Sequence, residues 1–344
     1  MLETSSTSAS EGSATTVAPA ARHPLRFSLR SGGPERARDL RQLARRAEAN
    51  GYAGLFFTDH YLGPGSAMAV ANHPAQNLAP IPMAVAAAAA TDTLVVGFRV
   101  LCIDYHNPVV LAKELATLDE LSGGRVEIGL GAGWIQSEYA AMGVTFDKPS
   151  ERVRRLGDVV DVIRAVFAGG DVDIVRSSGV QATGFRGFTT AEERACPPIA
   201  IGGGGRAVLR VAARQADIVS LNFNNRAGAL TPDGAHTSTT TEMSAKLQHI
   251  RDEAGSRWNH LRIEMGVIAG AVSADAEGAA TRFEPLFGMS PRDILDHPHT
   301  LLGDAGQICD KVQELRERFG ITDFTIRDSL LDDFAPVVKR LTES

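Results

Sequence analysis

Short apolar runs of β-type composition alternate with longer segments of helical periodicity from residue 25 to the end of the chain. In the first run, residues 25–30, apolar and polar side chains alternate, which is typical of a strand with one buried face. A helix is predicted next, from Pro34 to about Asn50, because apolar residues recur at helical spacing and Gly51 follows as a cap. Further strands are predicted at residues 54–58, 94–101, 126–130, 198–201, 218–221, 262–268 and 322–326.

Eight predicted strands, each followed by a helix, are what a TIM (β/α)8 barrel requires. We therefore expect an α/β fold of the TIM-barrel class with insertion segments, and an open doubly wound sheet is the competing topology. Residues 171–197, rich in glycine and β-branched side chains, suggest a hairpin or loop insertion, and the polar stretch 222–240 suggests a long loop. Residues 1–22 are predicted to be a flexible tail, so that residues 23–344 form one barrel domain.

Composition and charge exclude several classes of protein. Hydrophobic residues make up 44% of the 344 residues and charged residues 22%, the balance of a globular protein with a large core. A formal net charge of −6 argues against general nucleic-acid binding, and no run of about 20 apolar residues could span a membrane. The three cysteines lie far apart, without CxxC spacing or clustered histidines, so we expect no disulfide framework, no metal site and a cytoplasmic location.

The ends of the predicted strands hold the candidate chemistry, because TIM barrels build their sites at the C-terminal ends of strands. Asp59 and His60 end the second strand, and a histidine can move a proton near neutral pH while a carboxylate fixes its tautomer. Both are therefore candidate catalytic residues. Whether Asp59 bonds to His60 or to a ligand stays open, since neighbouring strand residues point to opposite faces. Residues 104–108 hold several hydrogen-bonding side chains, which we interpret as a cap before a helix.

Two glycine-rich segments follow later strands. The first contains Gly131, Ala132 and Gly133. Bare backbone there would let a flat ring or a phosphate approach, with the adjacent Trp134 as an apolar wall. The second is the run Gly202, Gly203, Gly204 and Gly205, which follows a strand and opens a helix. Backbone amides at a helix N-terminus can bind a phosphate, although a tight turn or a flexible connection would also explain these glycines. The sequence matches neither a P-loop nor the NAD fingerprint.

Three blocks of the sequence resemble the bacterial luciferase-like superfamily. The first is NPVVLAKELATLDELSGGR at residues 107–125, continued by GLGAGW at residues 129–134. The second is PIAIGGGG at residues 198–205 with AARQAD at residues 212–217, and the third is LGD at residues 302–304 before the last helix. The blocks stand in the right order, and the similarity covers residues 25–340. Within the superfamily the chain resembles most the actinobacterial coenzyme F-420-dependent oxidoreductases.

The resemblance implies a barrel that binds FMN or the deazaflavin coenzyme F-420 at the C-terminal ends of its strands. His60 then faces the reactive ring as a proton donor or acceptor, with Asp59 beside it. The turn at residues 131–133 lies beside the ring, and the four-glycine run holds the phosphate. Arg206, directly after that run, is the candidate partner for the acidic tail of the deazaflavin.

Two further features follow from the same resemblance. A cis peptide bond that does not involve proline is expected beneath the ring, between Arg99 and Val100, and both residues are therefore counted with the cofactor site. Dehydrogenases of the deazaflavin branch carry a glutamate just after the glycine turn, where this chain has Trp134. This departure disfavours oxidation of a hydroxyl group relative to reduction or oxygenation.

The first functional hypothesis is an oxidoreductase that uses coenzyme F-420 for hydride transfer to or from a small organic substrate. The alternative is a two-component FMN-dependent monooxygenase served by a separate flavin reductase, and a non-enzymatic flavin-binding protein is a third possibility. Trp134, Phe27, Phe57 and Asn222, the first residue of the long loop, are predicted to shape the substrate pocket. We expect a homodimer that acts on a small molecule.

Overall fold

The computed structural model describes residues 23–34, 36–188 and 195–342, so the predicted tail at residues 1–22 lies outside the described residues. The strands are β1 (Arg26–Ser31), β2 (Gly54–Phe57), β3 (Val95–Phe98), β4 (Leu101–Cys102), β5 (Val126–Gly131), β6 (Asp171–Val175), β7 (Gln181–Arg186), β8 (Ile199–Gly203), β9 (Ile218–Leu221), β10 (Arg262–Gly266), β11 (Ala269–Val272), β12 (Thr300–Gly303) and β13 (Ile321–Arg327).

Parallel strands close into an eight-stranded barrel within the described residues. The order around the barrel is β3-β2-β1-β13-β10-β9-β8-β5, and β5 pairs with β3 to close it. The short strand β4 also pairs with β5, so β3 and β4 are two parts of one barrel strand. The TIM-barrel prediction is confirmed, and the open doubly wound sheet is excluded.

The α-helices are α1 (Leu40–Ala49), α2 (Ser66–Val70), α3 (Pro80–Ala88), α4 (Pro108–Ser122), α5 (Gln136–Met142), α6 (Pro149–Phe167), α7 (Arg206–Gln215), α8 (Pro232–His236), α9 (Thr240–Ala254), α10 (Ala276–Thr281), α11 (Glu284–Phe287), α12 (Pro291–Asp296), α13 (Ala305–Phe319) and α14 (Leu331–Thr342). None of these helices is long and apolar enough to cross a membrane. At least one helix follows every barrel strand along the chain.

Local signals explain several helix boundaries. Asn107 caps α4, because its side-chain oxygen accepts hydrogen bonds from the amides of Val109 and Val110 at 3.0 and 3.2 Å. The predicted helix start at Pro34 is wrong. Gly33 before it has φ +88°, and only a turn of 3-10 helix at Ala37–Asp39 precedes α1.

The main hydrophobic core lies between the barrel and its helices, and it contains Phe27 and Phe57. Both side chains are fully buried, and the Phe27 ring stacks on Phe324 with centroids 5.3 Å apart. Their neighbours Arg26 and Phe56 face the barrel interior instead, as the alternation of a strand requires. This placement corrects the expectation that Phe27 and Phe57 shape the substrate pocket, because residues on the helix side of the strands cannot reach the barrel mouth.

The barrel contains three insertions. The antiparallel hairpin of β6 and β7 occupies residues 171–186 of the first predicted insertion, and residues 189–194 lie outside the described residues. The long loop after β9 contains α8. Between β10 and α13 a larger insertion, with α10 to α12 and the two-stranded sheet of β11 and β12, packs on that loop through Phe223, Ala235 and Phe287. The sequence predicted only a helical region there.

Candidate active site

His60 is held by a glutamate from the short helix α5. Its Nδ1 lies 2.8 Å from Oε2 of Glu138, while Oε1 accepts the amide of Tyr61 at 3.0 Å and Oε2 accepts the Tyr105 hydroxyl at 3.2 Å. Burial alone would raise the pKa of Glu138, but the hydrogen bonds from His60 and Tyr61 outweigh it and hold this pKa below its usual range. The ionised carboxylate favours a proton on Nδ1 of His60, so Nε2 is the atom that can exchange a proton with a substrate.

Asp59 binds away from His60, which answers the question that the sequence left open. Its Oδ2 accepts the amide of Cys102 at 2.7 Å and lies 2.9 Å from Nε2 of His106. Its Oδ1 is buried and has no hydrogen-bond partner among the described residues. Asp59 therefore ties β2 to the end of β4 and leaves Oδ1 without a partner in hydrogen-bond geometry, although the Tyr61 hydroxyl also interacts with this carboxylate.

An apolar and aromatic wall extends from His60 to Trp134. The ring of His73 lies 4.2 Å from that of His60 and meets the Trp134 ring edge to face at 5.7 Å. Burial and the neighbouring His60 lower the pKa of His73 to about 4, so His73 is neutral at physiological pH. Trp134 packs on a small cluster formed by Met68, Ala71 and Ile135.

The glycine turn at residues 131–133 fits closely around its neighbours. A Cβ on Gly131 would lie 2.5 Å from Cγ2 of Val100, and a Cβ on Gly133, which has φ +71°, would overlap the Tyr139 hydroxyl. Arg152 braces the turn by donating to the carbonyls of Ala132 and Gly133 at 2.9 and 2.6 Å. Bare backbone is therefore required here by the protein's own packing, as the tight-turn reading of the sequence allowed.

Arg99 and Val100 point to different places. The peptide bond between them is cis, as the resemblance implied. The Arg99 side chain lies inside the barrel, where it donates to Glu127 at 2.6 Å and to Glu264 at 2.5 Å. Val100 instead reaches the turn, and a Cβ on Gly202 would stand 3.0 Å from its Cγ1. Of the two side chains, only that of Val100 can therefore touch a cofactor at the strand ends.

The four-glycine run is part strand and part helix cap. Gly202 and Gly203 belong to β8, two residues beyond the predicted strand end, and Gly205 is the N-cap of α7. A Cβ on Gly204 would overlap the carbonyl of Asn222, whereas one on Gly205 would come no closer than 3.6 Å to another side chain. Gly204 is thus needed for packing, and Gly205 leaves its backbone accessible.

A cavity of about 400 Å³ lies beside this helix N-terminus. It is lined by Gly204, Arg206, Asn224, His236, Thr237, Glu242, Ala245, Lys246 and His249. Lys246 is largely buried and donates to the carbonyl of Asn222 at 3.0 Å, and burial lowers its pKa to about 8. Asn222 lies against the glycine run, with its side-chain oxygen accepting its neighbour's amide at 2.9 Å. Basic groups and helix amides together suit a phosphate or another anion.

Sequence reasoning missed Glu138, His73 and the role of residues 104–108. The segment 104–108 was interpreted as a cap, and Asn107 does cap α4, yet Tyr105 and His106 also reach the site. For Glu138 the sequence offered one signal, an acidic residue shortly after a glycine turn at a strand end. Glu138 lies four residues after Trp134, and it contacts His60 rather than opening toward a substrate. No group of three His, Cys, Asp or Glu side chains that could hold a metal occurs among the described residues.

Comparison with known proteins places the chain among flavin and deazaflavin enzymes. It is 30% identical over 281 residues to the F420-dependent glucose-6-phosphate dehydrogenase of Nakamurella multipartita, covering 78% of this chain and 74% of that protein. It is 27% identical over 173 residues to the FMNH(2)-dependent dimethylsulfone monooxygenase of Pseudomonas fluorescens, covering 50% of this chain and 42% of that protein. Several curated relatives match over only about half of their own length, from 42% to 52%.

The fold is also that of solved structures in this group. An F420-dependent secondary alcohol dehydrogenase in complex with an F420-acetone adduct superposes with a TM-score of 0.70 at 18% identity, covering 92% of this chain and 99% of that chain. The model of the luciferase-like monooxygenase family matches residues 15–231. With that match across most of the barrel, the chain belongs to the luciferase-like monooxygenase family.

Proposed function

We propose that this protein is an oxidoreductase that uses the deazaflavin coenzyme F-420 for hydride transfer to or from a small organic substrate. Members of its family are flavin-dependent or deazaflavin-dependent oxidoreductases and monooxygenases. The observation that carries the proposal is the contact between His60, at the end of β2, and Glu138 of α5. It makes His60 a proton-transfer group whose tautomer is fixed by a buried carboxylate.

The residues at the strand ends fit a flat ring with a phosphate at one end. Val100 and the turn at residues 131–133 form a surface of small groups and bare backbone, and Gly205 opens α7 beside the basic cavity. The orphaned Oδ1 of Asp59 is a ready acceptor for a donor on a ligand. When bound there, the deazaflavin supplies or accepts a hydride, since its chemistry proceeds by electron pairs.

The protein's own part in the reaction is proton transfer, orientation and exclusion of water. Nε2 of His60 would give or take the proton that accompanies the hydride, and the Glu138 carboxylate would stabilise the imidazolium that results. His73, neutral at physiological pH, and Trp134 would form a wall that keeps water from the reacting carbon. Hydroxyl oxidation stays disfavoured relative to reduction, because Trp134 stands at the place of the dehydrogenase glutamate and both oxygens of the buried Glu138 are bonded to His60, Tyr61 and Tyr105.

The charge of the cavity beside α7 favours the deazaflavin over FMN. Arg206, Lys246, His236 and His249 line it, with Glu242 as the acidic side chain. FMN carries one phosphate, whereas the deazaflavin carries a phosphate followed by an acidic tail. The cationic Arg206 and Lys246 and the two imidazole rings offer more hydrogen-bond partners than a single phosphate uses, and they therefore suit the longer anion.

The second candidate function is an FMN-dependent monooxygenase that receives reduced flavin from a separate reductase. The similarity to an FMNH(2)-dependent dimethylsulfone monooxygenase supports it. The same histidine, turn and helix N-terminus would serve either cofactor, so the two candidates differ in the occupant of the cavity and in the use of oxygen.

Turnover assays with both reduced cofactors test the proposal. Purified protein would be offered a panel of small carbonyl, alkene and alcohol substrates with either redox form of the deazaflavin under anaerobic conditions. In parallel, reduced FMN and oxygen would be supplied. We expect substrate-dependent turnover of the deazaflavin, lowered about 10²–10⁴-fold by His60→Ala and unchanged by the surface control His260→Ala. Substrate-dependent formation of an oxygenated product with reduced FMN and oxygen, with no turnover of the deazaflavin, would favour the monooxygenase.

A further inference from the structure

The interior of the barrel contains a balanced layer of buried charge. Arg26 donates to Glu127 at 2.7 Å, and Arg99 donates to Glu127 and Glu264 at 2.6 and 2.5 Å. Arg262 pairs with Asp323 and lies 3.2 Å from Glu127. Three guanidinium groups thus face three carboxylates, and this lower layer carries no excess charge.

Two more arginines stand above this layer, at the mouth of the barrel. Arg30 lies four residues after Arg26 on β1, and Arg327 lies four residues after Asp323 on β13, so both face the same side as the buried charges. They are direct neighbours, since Arg30 pairs in register with Arg327. In the described part of the chain neither side chain has a hydrogen-bond or ion-pair partner, in contrast to the three arginines below.

The two carboxylates near Arg30 bond to other side chains. Glu264 accepts from Arg99 on one oxygen and from Thr325, at 2.6 Å, on the other. Asp328 accepts the hydroxyl of Ser31 at 2.5 Å. Burial and the charge of Arg327 lower the pKa of Arg30 to about 10, so Arg30 remains charged at neutral pH. Arg30 is half-buried and Arg327 is exposed. Together they place two positive charges beside the single carboxylate of Asp328, which neither guanidinium bonds directly, so the site keeps an excess of positive charge.

The arginine pair lies far from the proposed phosphate site at the N-terminus of α7. Going round the barrel in either direction, β1 is four strands away from β8, so the arginine pair lies across the mouth from Gly205 and α7. It is close to the proton-transfer group instead, because β2, which leads to His60, pairs with β1. Burial, His60 and the charge of Arg30 all act to lower the pKa of His73, which places Arg30 within electrostatic reach of the aromatic wall.

We propose that Arg30 and Arg327 bind an anionic group of the substrate, a carboxylate or a phosphate, and so orient its reactive carbon toward His60. The assignment rests on the proposed function in one respect, the use of His60 on a bound substrate. A guanidinium pair binds both oxyanions by charge-assisted hydrogen bonds, and substrates without a negative group would lack this contact.

The test is calorimetric titration of cofactor-free protein at low ionic strength with inorganic phosphate and, separately, with acetate. We expect the double variant Arg30→Met/Arg327→Met to weaken anion binding at the arginine pair at least tenfold. Arg206→Met, at the N-terminus of α7, should leave binding at the arginine pair unchanged. A preference for phosphate or for acetate identifies the substrate group. Arg30→Lys, which keeps the charge, should retain part of the binding, and the melting temperature of each variant reports whether it is folded.

Cofactor titrations of the same variants separate this proposal from the proposed function. Arg30→Met should bind the deazaflavin or FMN as the wild type does. Anion binding that is unaltered in the double variant, or lost only with Arg206→Met, would overturn the substrate site, and so would loss of cofactor affinity in Arg30→Met. If the wild type binds neither cofactor, the proposed function fails, while the anion titration still reports on the arginine pair.

Discussion

Nδ1 of His60 and Oε2 of Glu138 lie 2.8 Å apart, although 78 residues separate them along the chain. His60 follows β2 and Glu138 belongs to α5, after β5, so closure of the barrel is what brings them together. The carboxylate is fully buried and is bonded also by Tyr61 and Tyr105. We interpret the pair as the proton-transfer unit of the site.

Glu138→Gln should lower turnover by roughly tenfold or more, because the amide can still bond to Nδ1 but cannot stabilise the imidazolium. Cofactor affinity should stay near that of the wild type. The measurement is steady-state kinetics across pH, since loss of the carboxylate should also move the pH profile that reports on His60. Glu277→Gln, an exposed change on α10, is the matched control. Unchanged kinetics in Glu138→Gln would mean that the glutamate is structural.

Gly204 and Gly205 should respond differently to substitution. Gly204→Ala would drive a Cβ into the carbonyl of Asn222, so we expect a loss of stability of about 1–3 kcal/mol or more. Gly205→Val has room and an ordinary φ of −91°, so it should fold while weakening cofactor binding about tenfold or more, or about 1.4 kcal/mol. Denaturant unfolding and ligand titration of both variants measure this. Normal cofactor affinity in a folded Gly205→Val variant would remove α7 from the phosphate site.

The strand pattern of this chain was visible in its sequence because each barrel strand is a short apolar run between polar turns. The run at residues 218–221 coincides with β9, and those at residues 126–130 and 54–58 differ from β5 and β2 by one residue at one end. The glycines at the end of β8 hid its last two residues, because glycine is a weak strand former and typical of turns. The alternation in β1 did not tell whether its apolar face meets the helices or lines the barrel, and β2 is apolar throughout. Phe27 and Phe57 were misplaced for these reasons.

The contacts within the candidate site were harder to predict from the sequence than the strands were. Asp59 and His60 were recognised from their place at a strand end, but their partners come from other strands' loops. The helix α5 has seven residues, too few for a periodicity signal, and it supplies Glu138. The insertion between β10 and α13 consists of elements of four to six residues, which periodicity cannot resolve either.

Arg206 should contribute to binding of the acidic tail of the deazaflavin. Its side chain is exposed, so Arg206→Ala should weaken deazaflavin binding about two- to fivefold and leave FMN binding unchanged. The dependence of the deazaflavin dissociation constant on salt should become shallower, because one screened charge pair is lost. Arg210→Ala, one turn further along α7 and also exposed, is the control. Equal effects of both variants would mean that Arg206 acts on deazaflavin binding only through the general surface charge, not through a contact with the tail.

Buried histidines should make the protein lose stability in mild acid. Burial lowers the pKa of His297 to about 4, so between about pH 6.5 and 4 the folded protein binds fewer protons than the unfolded chain. The free energy of unfolding should therefore fall as pH decreases through that window and level off below it. His297→Gln should make this fall smaller, and the exposed control His260→Gln should not. Urea unfolding at several pH values measures the slope, and an identical slope in His297→Gln would contradict the account.

We propose that the barrel mouth binds the deazaflavin rather than FMN. This proposal is tested most directly by titrating the purified protein with oxidised coenzyme F-420 and, in a matched experiment, with oxidised FMN. We predict a micromolar or lower dissociation constant for the deazaflavin and one at least tenfold higher for FMN, a difference of about 1.4 kcal/mol or more. Tight binding of FMN with no binding of the deazaflavin would contradict the account and leave the monooxygenase in its place.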